Sequence, residues 1–153
     1  MTIATAPQPD YRSALFTDLE QVAAIEAEVF AEPYRYLMLR QLFELHGSDW
    51  LVAELAGAVI GYALTLGNSR RALLFTFAVA HGYQRSGYGR TLLDRTLRRC
   101  RERGAEVAYL TVRPDNQSAS NLFKQAGFEF VAHDDRYFGP GEPRDVFEYR
   151  LGG

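Results

Sequence analysis

The chain has 153 residues, 47% of them hydrophobic and 24% charged. That is enough for one globular domain with a sizeable core, and too apolar for a disordered segment. A net charge of −2 argues against nucleic acid as the main partner, and the single cysteine, Cys100, excludes an internal disulfide and fits a reducing compartment.

In chain order, residues 1–10 read as a flexible tail and 11–153 as a single domain. No basic start and apolar run opens the chain, so no signal peptide is expected, and the apolar runs have the length of strands and not of membrane spans. These readings together predict a cytoplasmic protein, monomer or homodimer, with no nucleic-acid or membrane partner.

Tyr11 to Phe16 reads as a first strand. Thr17-Asp18-Leu19-Glu20 has the form of a capping box and opens a helix with Leu19, Val22, Ile25, Val29 and Phe30 at helical spacing, leaving Glu20, Glu26 and Glu28 for its polar side. Glu32-Pro33 breaks it. Tyr34 to His46 is a second helix, with Leu37, Met38, Leu42, Phe43 and Leu45 as its apolar side, ended by Gly47-Ser48.

Strands follow at Trp50–Leu55 and Ala58–Leu66, joined by an Ala56-Gly57 hairpin, then a turn at Gly67-Asn68-Ser69-Arg70 and a strand at Ala72–Val79. A helix from Arg90 to Arg103 stops at Gly104 and carries Cys100 on its apolar side. Ala105–Val112 is a strand, Gln117–Ala126 a short helix, and Phe128–Phe138 and Asp145–Leu151 the last strands. The fold class is α/β, a mixed central sheet with helices on both faces, in the order β-α-α-β-β-β-α-β-α-β-β.

Gln84-Arg85-Ser86-Gly87-Tyr88-Gly89 joins the Ala72–Val79 strand to a helix N-terminus. First-turn N–H groups and the positive end of the helix dipole favour an anion such as a phosphate. A P-loop is excluded because the chain has no Gly-Lys pair, and a dinucleotide fingerprint because Leu92 stands at its third glycine.

The remaining pattern, [Q/R]-x-x-G-x-[G/A], is met by Gln84, Gly87 and Gly89 and resembles the coenzyme A pyrophosphate loop of the GNAT superfamily of N-acyltransferases. A second segment, Val112–Phe128, resembles that family's N-x-x-A-x-x-L-Y-x-x-x-G-F motif, with Asn116, Ala119, Leu122, Gly127 and Phe128 in register. The likeness spans roughly residues 11–151 and is nearest to the branch that acetylates protein N-termini, typified by the ribosomal-protein alanine acetyltransferases.

The resemblance implies an N-acetyltransferase that moves an acetyl group from acetyl-CoA to a primary amine, of a small molecule or a peptide N-terminus, by direct transfer. It implies backbone groups of Phe77, Ala78 and Val79 beside the pantetheine arm, Gln84, Arg85, Ser86, Gly87, Tyr88, Gly89 and Arg90 around the pyrophosphate, and Asn116 and Phe123 near the donor. Asn116 also suits a helix N-cap. Tyr34, Tyr36 and Tyr109 are the candidates for binding the acceptor; Tyr109, on the same face of its strand as Thr111, suits core packing better.

In that branch a glutamate follows on the strand after the CoA helix and a tyrosine in the L-Y pair; this chain has Thr111 and Phe123 there. Phe123 cannot donate a proton and Thr111 is no base. The candidates left near the chemistry are Tyr137, Glu32 and Thr111. The three histidines, His46, His81 and His133, are not at metal-ligand spacing, so no metal is expected. Two rival readings use the same loop: a donor with a longer acyl chain or an acyl-carrier thioester, and a CoA-binding module without turnover.

Overall fold

The structure, a computed structural model, describes residues 7–67 and 70–152. Its element order reproduces the predicted one, with β1 Asp10–Ser13, α1 Leu19–Val29, α2 Tyr36–His46, β2 Leu51–Leu55, β3 Ala58–Gly67, β4 Arg71–Val79, α3 Tyr88–Glu102, β5 Val107–Val112, α4 Gln117–Gln125, β6 Glu129–Asp134 and β7 Arg144–Arg150. The strands form one mixed seven-stranded sheet in the order β1-β2-β3-β4-β5-β7-β6. Residues 1–6 of the predicted tail, and Asn68 and Ser69 of the predicted turn, lie outside the described residues. Asp10 already pairs with Glu54.

The chain forms two compact units, one ending at Thr65 with Thr76–Thr96 added, the other Leu66–Phe75 with Leu97 onward. In the first, β1, β2 and β3 run antiparallel. The Ala56-Gly57 hairpin has φ of 51° and 84°, the left-handed pair of a type I′ turn, which matches the twist of its strands. The first strand stops at Ser13, short of the predicted Phe16, because the chain turns there. The Asp18 carboxylate accepts the Leu15 N–H at 2.7 Å and is held by Arg12 at 2.7 and 2.9 Å. The predicted cap at Thr17 does not form: a 3-10 turn occupies Phe16–Asp18 and α1 starts at Leu19.

Two further expectations for these helices are corrected. Glu26 is not on the polar side of α1; it is 1% exposed, alongside Leu19, Val22 and Ile25. On α2 the buried residue is Leu39, whereas Leu37 and Leu45 are 70% and 77% exposed. One helical face cannot hold Leu39 inward and Leu37 inward together, since they lie some 200° apart around the axis. Behind α2, Gly47 has an ordinary helical φ of −60°, but a Cβ there would lie 2.3 Å from the Phe43 ring. The ring in turn meets Trp50 edge-on at 5.8 Å, and Trp50 Nε1 donates to the Thr65 carbonyl at 3.0 Å.

In the second unit, β4 pairs in parallel with β5 over Arg71–Leu73 and Val107–Tyr109. β7 runs antiparallel to both β5 and β6. Cys100 is buried on α3. After α4, Gly127 takes φ of 105°, and the N–H groups of Gly127 and Phe128 return to the carbonyls of Lys124 and Phe123. That is a Schellman stop, which only a residue tolerating positive φ closes cheaply. β6 is shorter than predicted, and residues 135–138 form a turn; all its residues are exposed, and Val131 is an extra residue between the pairs Phe130↔Phe147 and Ala132↔Val146.

Candidate active site

Alternation along β4 buries Ala72, Leu74, Thr76 and Ala78 and leaves Leu73, Phe75 and Phe77 half-buried. Val79 ends the strand, and a 3-10 turn over His81–Tyr83 leads into the glycine-bearing loop. Gln84 folds back, its Nε2 donating to the Val79 carbonyl at 2.9 Å. Arg85 has φ of 65° and Gly87 φ of 80°. A non-glycine residue held at positive φ is strained, and such strain is common where a loop is shaped for a ligand.

The helix then starts at Tyr88, with the Thr91 N–H and hydroxyl both reaching the Gly87 carbonyl, at 3.1 and 3.2 Å. The N–H groups of the turn before Thr91 precede the helical ladder. Nothing lies within 4 Å of where a Gly87 Cβ would stand, while one at Gly89 would meet Val79 at 3.3 Å and Phe77 at 3.8 Å. The loop is therefore open above Gly87 and tight against the strand below Gly89. A helix start of this kind, with its first-turn N–H groups, favours an anion. Arg90 is turned along its own helix, its Nε 3.1 Å from Asp94.

The same unit contains a polar cluster that the sequence reading passed over. The Glu26 carboxylate accepts the Tyr62 hydroxyl at 2.7 Å, the Thr76 hydroxyl in a very short bond to the same Oε1, and the Tyr34 backbone N–H on Oε2 at 3.1 Å. Burial, and then the charge and hydrogen bond of Glu26, push the Tyr62 phenol far above its ordinary value. Two residues further along α1, Glu28 accepts the His81 N–H at 2.9 Å, with the imidazole Nδ1 at 3.3 Å. Glu28 is exposed, yet it fixes the turn where β4 ends. Tyr34 is half-buried; Glu32 and Tyr36 are exposed.

In the second unit, Thr111 is half-buried and pairs with Val146. Tyr109 pairs with Glu148, and the Arg71 guanidinium lies 4.4 Å from its ring centroid. Asn116 caps α4, its side chain accepting the Ala119 N–H at 3.2 Å. Phe123 is buried edge-on against Phe128 at 5.6 Å. Tyr137 is exposed and edge-on to Phe138 at 4.7 Å. Of the candidates, direct contacts join Val79 with Gln84, and Gly89 faces Val79 and Phe77.

Residues 16–128 match the model of the acetyltransferase (GNAT) family. The chain is 31% identical over 144 residues to the N-alpha-acetyltransferase of Sulfurisphaera tokodaii, covering 86% of each. It is 29% identical over 131 residues to the ribosomal protein bS18-alanine N-acetyltransferase of Escherichia coli, covering 84% of this chain and 86% of that one. Among solved structures it resembles Ard1 from Thermoplasma volcanium, with a TM-score of 0.86 at 26% identity over 94% of this chain and 97% of that one. It also resembles the Escherichia coli ribosomal-protein-S18-alanine N-acetyltransferase, with a TM-score of 0.84 at 25% identity over 95% of each.

Proposed function

The chain belongs to the acetyltransferase (GNAT) family and is an N-acetyltransferase, and we propose that it acetylates the α-amino group of peptides, using acetyl-CoA as donor. The relatives named for N-terminal acetylation support the peptide acceptor. The observation that carries the donor is the loop, with its positive φ at Arg85 and Gly87, its open face at Gly87 and its first-turn N–H groups. In this reading those groups bind the diphosphate, Phe77–Val79 align the arm, and Asn116 adds a contact while capping α4. Tyr34 and Tyr36 contact the acceptor.

The donor supplies an activated thioester carbonyl. What the protein must add is a neutral amine held in line with it and a proton for the departing sulfur. Holding the amine close supplies a large share of the rate. Freeing an amine of pKa near 10 at neutral pH costs about 4 kcal/mol, whereas an α-amine near 8 costs about 1.4 kcal/mol. Thr111 and Phe123 stand where the resemblance puts a glutamate and a tyrosine, so this chain lacks a strong base and acid at those positions. An α-amine is the acceptor that least needs them. Tyr137, whose phenol is exposed, and Glu32 are the groups proposed to exchange protons with the reactants.

The test is mass spectrometry of peptides offered with acetyl-CoA, each carrying both a free N-terminus and a lysine. Acetylation at the N-terminus is expected, with a rate that rises through the pKa of the α-amine. A preference for the lysine amine overturns the acceptor, and absence of turnover with peptides and small amines overturns the function.

A further inference from the structure

We propose that Glu26 is a positioning residue for the acceptor, tying the Tyr34 segment to the strand that carries the donor-side backbone. The inference rests on the reading of Phe77–Val79 and Tyr34–Tyr36 given above and names what holds the two in register.

The geometry of the carboxylate carries it. Glu26 is 1% exposed on α1, and its donors come from three other places in the chain: Tyr62 on β3, Thr76 on β4 and the Tyr34 N–H between α1 and α2. The oxygens divide the work. Oε1 takes the two hydroxyls of the sheet, and Oε2 takes the backbone of the segment. Thr76 is next to Phe77, and Tyr34 is two residues before Tyr36, so one rigid group spans the two proposed substrate-binding stretches.

The setting makes the tie consequential. Ala31, Glu32, Pro33 and Arg35 are exposed, so burial of side chains does little to fix this stretch. A carboxylate taken out of water is costly unless it is hydrogen-bonded, and an apolar residue in its place would leave the buried Tyr62 and Thr76 hydroxyls without their acceptor, so such a variant is expected to be less stable. Leu19, Val22 and Ile25 beside it would accept an apolar neighbour. What an apolar residue would not supply is an acceptor for the Tyr34 N–H. Attack on the thioester needs the amine about 3–3.5 Å from the carbonyl carbon, and a displacement near 1 Å lowers the rate on the order of a hundredfold. Both carboxylate oxygens already accept hydrogen bonds from the protein, which assigns Glu26 to positioning and not to the proton transfers proposed above.

Two substitutions separate positioning from proton transfer. Glu26→Gln keeps an oxygen for the Tyr34 N–H, and its amide can donate to hydroxyls that rotate to accept. Glu26→Met keeps the length and removes every acceptor. With acetyl-CoA and an N-terminal peptide, Glu26→Met is expected to lower kcat on the order of a hundredfold and to raise the acceptor KM, while leaving the acetyl-CoA KM and the acetyl-CoA thermal shift unchanged. Glu26→Gln is expected to restore both kcat and acceptor KM. Acceptor and donor KM moving together in the Met variant, or neither moving, overturns the proposal. So does a Gln variant as slow as the Met variant with an altered pH–rate profile, which would make the carboxylate a base.

Amide exchange at Tyr34 in the unaltered protein gives a reading that needs no variant to fold. Protection well above that of Arg35 is expected, and exchange at the rate of Arg35 overturns the tie. Turnover by the unaltered protein is measured in the same assay. Its absence counts against the function, whereas turnover with an unaffected Met variant counts against the role of Glu26 alone.

Discussion

Tyr62 donates its phenolic hydrogen to Glu26 Oε1 at 2.7 Å, and neither side chain touches solvent. A hydrogen bond to a buried charge is among the stronger ones, so Tyr62→Phe is expected to destabilise the protein by about 2 kcal/mol. The Tyr34 N–H bond to the other oxygen stays in place. Denaturant unfolding of the two proteins measures the difference, and a value near zero would mean that the carboxylate draws nothing from the phenol.

Gly47 is required for space and not for its backbone angles. A methyl group there would meet the Phe43 ring, so Gly47→Ala is expected to cost about 1–3 kcal/mol as the ring is pushed from its place. Trp50 is the only tryptophan and lies against that ring. Its fluorescence should therefore change in the folded variant, which makes the displacement visible apart from the loss of stability.

Gly87 presents the opposite case. Its Cβ position is open, but its φ is positive, so Gly87→Ala should cost roughly 1 kcal/mol of stability from backbone strain. Gly87→Glu adds a charge of the same sign as a diphosphate and is expected to abolish acetyl-CoA binding by calorimetry. Gly82, also open, serves as the control: Gly82→Ala should bind normally. Equal affinity in all three variants would remove the loop from the donor site.

Stability should fall on both sides of neutral pH, for different reasons. Burial alone would raise the Asp18 carboxyl, but the Arg12 guanidinium and the Leu15 N–H outweigh it and hold the group below its ordinary value of 3.8. Its contribution is complete above the unfolded value and is lost as pH falls through the folded one. The His133 imidazole lies 2.6 Å from both Asp145 and Asp135, and those bonds, Asp145 first, raise it above its ordinary 6.5. Its contribution is complete below 6.5 and is lost as pH rises through the raised value. Melting temperatures across pH should show Asp18→Asn flattening the acid limb and His133→Asn the alkaline one.

The order of strands and helices was legible because the punctuation is strong: Pro33, Ala56-Gly57, Gly104 and Gly127 each stand where an element stops or turns. The glycine-bearing loop was legible for the same reason. Glu26 was not, because its charge was weighed above its position. It stands seven residues after Leu19 and four after Val22, which puts it on the buried stripe of α1. Spacing alone would have found it; what spacing does not supply is the partner, since Tyr62 and Thr76 come from strands 36 and 50 residues away. On α2 the count of apolar residues misled, as Leu37, Met38 and Leu45 face solvent while Leu39 is inside.

β6 ends the order of strands and exposes Phe130 and Val131. An outermost ribbon with apolar side chains is a template on which another chain can polymerise. Here the surplus residue at Val131 breaks the two-residue rhythm that an added strand would have to follow. Glu129 and Asp134 place like charges at the two ends of the ribbon. The kink and the carboxylates together guard against fibrous association, so colloidal tolerance is written into the same short hairpin that leads into Tyr137.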